Sequence, residues 1–135
     1  MKKVIISLAI ASIVLLIMSI IMLKLSIYLF PSVTMEYLSP VFRNAGKMNW
    51  LFYVHPIIIS IALKWFWERY KSDFRGHFLW RAFEVALTYG IVAMIPVLWL
   101  TFSAIDVSLQ MILTWLLYGF VQAFSAGVVY AKLNP

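Results

Sequence analysis

The sequence predicts an all-α membrane protein, a four-transmembrane-helix bundle with both termini on the cytoplasmic side (N-in/C-in). Three observations predict it. The 135-residue chain is 64% hydrophobic and only 12% charged, whereas a soluble domain carries about 25% charged residues to hydrate its surface. Four apolar stretches are each long enough for a hydrocarbon core, which takes about 20 helical residues. The basic residues then divide unevenly between the two sides those stretches define. Lys2, Lys3, Lys64, Arg69, Lys71, Arg75, Arg81 and Lys132 fall on one side, and only Lys24, Arg43 and Lys47 on the other. The richer side is read as cytoplasmic.

The chain reads as one domain over 1–135, with spans at about 4–30, 50–67, 78–103 and 109–131. Residues 4–23 carry no charge. A Lys2-Lys3 start before an apolar run also resembles a secretory leader, but leader cores are shorter, about 7–15 residues, and end at a small-residue cleavage site. The run is therefore expected to be a retained first helix. An external loop over 31–49 follows, in which Ser39-Pro40 and Gly46 predict a short helix with a cap, a first-turn proline and a glycine stop. The second span holds His55-Pro56 in its first two turns, where a missing N–H costs little, and Lys64 near its far end, within snorkelling reach of headgroups. Glu68 to His77 form a polar loop, and the third span carries Glu84 and Pro96. A tight turn at 104–108 leads into the fourth span, with Asp106 expected as its N-terminal cap, helped by Ser108.

Lipid tails supply no hydrophobic drive for helices to associate, so small residues that allow close backbone approach are informative. The third span has Ala82, Ala86 and Gly90 at four-residue intervals, and the fourth has Gly119, Ala123 and Gly127. The two stripes predict that these antiparallel spans face each other as a tight hairpin; a dimer interface is their other use. Ser12, Ser19 and Ser26 recur every seven residues and mark a contact face on the first span.

Six residues form the candidate polar site: Glu84, Arg81, Lys64, Thr88, Gln122 and His55. A carboxylate two turns inside a membrane helix is costly and marks either a proton or cation site or a structural ion pair. Arg81 and Lys64 are the cations expected to pair with Glu84, and Thr88 the hydroxyl expected to reach its carboxylate. His55 suits a proton relay or a metal, but the other histidine, His77, lies 22 residues on, about 33 Å at 1.5 Å per residue. A two-histidine metal or haem site within one chain is thereby excluded. The plainer reading of His55 is a hydrogen-bonding residue at a helix end. Trp115, Tyr118, Gln122 and Ser125 form a polar–aromatic stripe that either lines a cavity for a small or quinone-like ligand or bonds neighbouring helices.

The chain has no cysteine, which excludes thiolate catalysis, disulfide exchange and Cys-ligated metals. It has no phosphate-binding glycine loop, H-E-x-x-H or G-x-S-x-G, and no cofactor is expected. The net charge of +6 is scattered among apolar spans, so anionic lipid headgroups explain it better than nucleic acid.

The C-terminal half contains Trp80-Arg-Ala-Phe-Glu84, Tyr89-Gly90, Ile95-Pro96, Ser108, Trp115-Leu-Leu-Tyr-Gly119, Gln122-Ala123 and Ala126-Gly127. In these features it resembles the last two spans of small four-span bacterial integral membrane proteins of uncharacterised function. The resemblance implies a multi-pass protein of the inner (plasma) membrane and transfers no catalytic residue. The leading functional expectation is a non-enzymatic scaffold or accessory subunit acting by association within the membrane. Its partners would be membrane lipids and either further copies of itself or other membrane proteins. The alternatives are a small dimeric transporter or channel using Glu84, and a quinone- or lipid-binding membrane protein.

Overall fold

A computed structural model describes residues 1–43 and 50–135. All of its regular structure is helical: α1 Lys2–Leu29, α2 Pro31–Glu36, α3 Trp50–Tyr70, α4 Phe78–Tyr89, a π-helical turn Gly90–Met94, α5 Ile95–Ala104 and α6 Leu109–Leu133. Four helical stretches are long and apolar enough to cross a membrane, namely Lys2–Leu29, Trp50–Tyr70, Phe78–Ala104 and Leu109–Leu133. They run up and down between a linker end, which holds α2 and residues 105–108, and a terminal end, which holds residues 71–77 and Asn134.

α6 is the centre of the bundle. It packs most extensively on α4, then on α1, and also on α3. The α4 contact is the hairpin that the small residues predict: a Cβ built on Gly127 would sit 2.9 Å from the Ala82 Cα, so the two backbones touch there. Ala82, Ala86, Ala123 and Ala126 are buried in the same contact. Gly90 is buried but makes no close approach to α6, since a Cβ there would meet nothing within 4 Å. The reason is the π-turn. Pro96 has no N–H, and its ring would clash with the Val92 carbonyl in a regular helix. The helix widens just before it, and the Ile95 N–H reaches back to the Gly90 carbonyl. That extra residue leaves a groove between Gly90 and α6 and lets the Met94 side chain lie against Gly119.

α1 is apolar all round, as a lipid-exposed span must be, and buries only Ser7, Ala11, Leu15 and Ser19. The contact face therefore repeats every four residues and includes Ser19, while Ser12 and Ser26 lie beside it, half-buried. Its partners are α6 and α3.

Two local expectations are corrected at the linker end. The short helix starts at Pro31, which occupies its first turn, not at Ser39-Pro40. Residues 37–42 form turns instead, closed by Ser39 N–H to Glu36 O at 3.0 Å and Phe42 N–H to Ser39 O at 3.1 Å. The expected stop at Gly46 and the cation Lys47 lie outside the described residues. The cap of the fourth span is Ser108, whose hydroxyl accepts from the Met111 N–H at 3.1 Å; Asp106 is exposed. The carboxylate at this helix start comes from α2, for Glu36 accepts from the Ser108 N–H at 3.2 Å and from its hydroxyl at 3.1 Å. Orphan amides and the helix dipole favour an acidic group there, and tertiary folding supplies one 72 residues away in sequence.

Candidate ligand cavity between the first and fourth spans

At the linker half of the bundle α1 and α6 diverge and leave a cavity of about 480 Å³. One wall is α1, with Ser19, Met22, Leu23, Leu25, Ser26 and Leu29. The other is α6, with Thr114, Trp115, Leu117, Tyr118 and Val121. Phe30, Tyr37 and Phe52 complete it. The volume is in the range of small-molecule pockets, roughly 300–1,000 Å³. No charged side chain lines it among the described residues.

The few polar atoms are arranged in two places. At the deep end the Ser19 hydroxyl donates to the Leu15 carbonyl at 2.7 Å and accepts from Gln122 Nε2 at 3.2 Å. The Gln122 Oε1 is buried and has no hydrogen-bond partner. At the linker end Trp115 Nε1 donates to the Tyr37 hydroxyl. Tyr37, Phe42 and Trp115 form an aromatic cluster there, with Phe42 and Trp115 edge to face at 6.1 Å. Burial raises the Tyr37 hydroxyl above its ordinary pKa; the Trp115 N–H opposes that shift and the nearby Glu36 charge adds to it. Of the polar–aromatic stripe, Trp115 and Tyr118 line the cavity and Gln122 braces its floor. Ser125 turns its hydroxyl back to the Val121 carbonyl at 2.8 Å.

The six candidate polar residues do not converge. Lys64 pairs with Glu68, one turn along its own helix, at 2.8 Å, and Lys71 closes on the same carboxylate at 3.2 Å. Arg81 lies over the Trp67 ring at 4.6 Å and donates to the Lys71 carbonyl at 2.8 Å. The ion pairs expected for Glu84 are therefore absent among the described residues, because a nearer carboxylate holds Lys64 and an aromatic face with a free carbonyl draws Arg81 across to α3. Glu84 instead accepts from Trp80 Nε1 at 3.0 Å, and its Oε2 is buried without a partner. Thr88 donates to the backbone carbonyl of Glu84 at 2.8 Å, not to its carboxylate. His55 is exposed on α3 and does not line the cavity. No group of three or more His, Asp or Glu side chains able to hold a metal occurs among the described residues.

Two important residues escaped sequence reasoning, Glu36 and Asn134, as did the contact of Tyr37 with Trp115. Asn134 joins the terminal end together, accepting at its carbonyl from Trp67 Nε1 at 2.8 Å, accepting at Oδ1 from Lys71 at 3.4 Å and donating to Glu68. Beside it the Tyr130 hydroxyl donates to the Ser60 carbonyl at 2.8 Å. Each of these contacts links residues more than 60 positions apart, and nothing local in the sequence signals them.

No family model, curated protein or solved structure matches the chain. Its own four apolar helices carry the conclusion: this is a small, polytopic, all-α membrane protein.

Proposed function

We propose that the protein is a non-enzymatic binding protein of the lipid or quinone class, which holds the apolar chain of a membrane-soluble ligand between α1 and α6. The observation that carries this is the cavity itself, apolar along its length and aromatic at one end. A preformed apolar pocket with a few placed polar groups is the usual form of a small-molecule site. In this reading the chain is one domain, N-in/C-in, in the plasma membrane. The cavity then lies in the outer half of the bilayer, where acyl and isoprenoid chains are plentiful.

Photolabelling tests the reading. The methyl ester of a fatty acid carrying a diazirine in its tail, applied to the protein in nanodiscs, should label Leu25, Leu29 and Leu117 in preference to the outward faces of α3 and α5. Val121→Trp, which fills the cavity, should suppress that labelling. Even labelling over the whole lipid-facing surface, unchanged by Val121→Trp, would sink the proposal.

Association within the membrane is the second reading. It is favoured by an apolar groove of about 340 Å³ beside the π-turn, lined by Leu87, Gly90, Ile91, Ile95, Leu113, Leu116, Leu117 and Phe120. Extraction in several mild detergents should then yield a dimer or a larger complex; finding only monomer in all of them counts against it. The transporter reading has less support, since Glu84, Lys64 and Gln122 sit in three separate contacts.

A further inference from the structure

Resting on the ligand-binding reading above, we infer that Tyr37 recognises the head of the ligand, donating its hydroxyl proton to a neutral carbonyl oxygen at the end of the apolar chain. Four observations lead there. Tyr37 stands at the linker end of the cavity wall. Its hydroxyl oxygen already accepts the Trp115 N–H, and a phenol has one proton to donate. That proton meets no acceptor among the described residues, whereas the Ser19 and Thr114 hydroxyls of the same wall donate to the Leu15 and Met111 carbonyls at 2.7 Å each. An accepted hydrogen bond also strengthens the bond the same hydroxyl donates, and the raised pKa of Tyr37 keeps the proton in place.

The position of that donor is set in advance. The α2 helix next to Tyr37 is fastened to α6 by Glu36 on Ser108 and by Ser32 donating to Gln110 at 3.2 Å. Val33 is buried against Val107 and Met111 beneath it. A donor held in its bound geometry loses little freedom when the ligand arrives.

Charge narrows the class of head. No cation lines the cavity among the described residues, and the Glu36 carboxylate acts on Tyr37 from the adjacent position. A phosphate or carboxylate would find no counter-charge and one repelling neighbour. A neutral acceptor suits the site, and a carbonyl on an apolar chain comes from two sources, a prenylated quinone or a fatty acyl ester.

Competition separates them. The diazirine probe bound to wild-type protein in nanodiscs is displaced with a prenylated benzoquinone, methyl palmitate or hexadecane. One or both carbonyl compounds should compete at about tenfold lower concentration than hexadecane, the worth of one well-placed hydrogen bond; the better of the two identifies the source. In Tyr37→Phe the advantage should vanish while hexadecane competes as before, and Tyr28→Phe, at an exposed tyrosine of α1 outside the cavity, should keep it. On wild type, the carbonyl stretch of isotope-labelled methyl palmitate or quinone should move to lower frequency on binding, a shift absent in Tyr37→Phe. Equal competition by all three compounds, or an advantage that survives Tyr37→Phe, overturns the role of Tyr37 and leaves the cavity reading standing. If the probe labels no discrete site, both fall together.

Discussion

Glu36 and Asp106 show how a residue's role follows from where tertiary folding puts it. Asp106 is two residues before the cap of α6, yet it points to solvent. Glu36 is far away in sequence and bonds both the amide and the hydroxyl of Ser108. Removing a helix-start acceptor costs about 1 kcal/mol, so Glu36→Ala should lower thermal stability in detergent by about that amount and Asp106→Ala should leave it unchanged. Equal losses in both would return the capping role to Asp106. Glu84 allows a similar test. With Lys64 and Arg81 engaged elsewhere, Glu84→Gln breaks no ion pair, keeps an oxygen for the Trp80 N–H and gives the buried side a neutral amide. Its melting temperature should match or exceed wild type. A loss of several degrees would mean that a cation does reach Glu84.

Among elements, α4 and α6 carry the closest packing, and three glycines on these two spans test how that packing works. In lipid, close approach replaces the hydrophobic drive. Gly127→Ala places a methyl 2.9 Å from the backbone of Ala82, so the helices must separate; a destabilisation of about 1–3 kcal/mol is expected from such overpacking. Gly119→Ala meets only the flexible end of Met94, which can turn aside, and should cost less. Gly90→Ala enters open space and, with the better helix propensity of alanine, should be neutral or stabilising by up to about 1 kcal/mol. Unfolding in mixed micelles measures all three. An order with Gly90→Ala as the worst would contradict the open space beside Gly90. The small-residue stripes were legible because four-residue spacing defines a helix face. That Gly90 stands clear of α6 was not legible, because a single extra residue before Pro96 widens the helix there, which periodicity alone does not reveal.

For the whole molecule, the open question is direction across the bilayer. The basic asymmetry predicts the terminal end inside and the linker end, with the cavity, outside. Because the chain lacks cysteine, single cysteines report without background. In intact cells Ser39→Cys should react with a membrane-impermeant maleimide and Ser72→Cys should not react until the membrane is permeabilised. The reverse pattern would invert the topology and place the cavity in the cytoplasmic leaflet. The two ends also differ in how they are fastened. The terminal end is tied by charge and by Asn134, Trp67 and Arg81, and the linker end by α2 lying across α6. With the terminal end tied, α1 and α6 part over the linker half of the bundle, and the cavity lies in that gap.

The four helices and the pairing of the last two were determined by the sequence itself, since length, hydropathy and small-residue spacing are local properties that lipid reads directly. Which polar residue meets which was decided only in the tertiary structure. Lys64 is the exception: its partner Glu68 stands one turn along the same helix, a local spacing that the expected pairing with Glu84 passed over. The bond between Tyr37 and Trp115, 78 residues apart, arose only once α2 folded over. Hydrogen bonds and ion pairs act over a few ångströms, so they are settled by which helices end up side by side, and a linear pattern does not contain that distance.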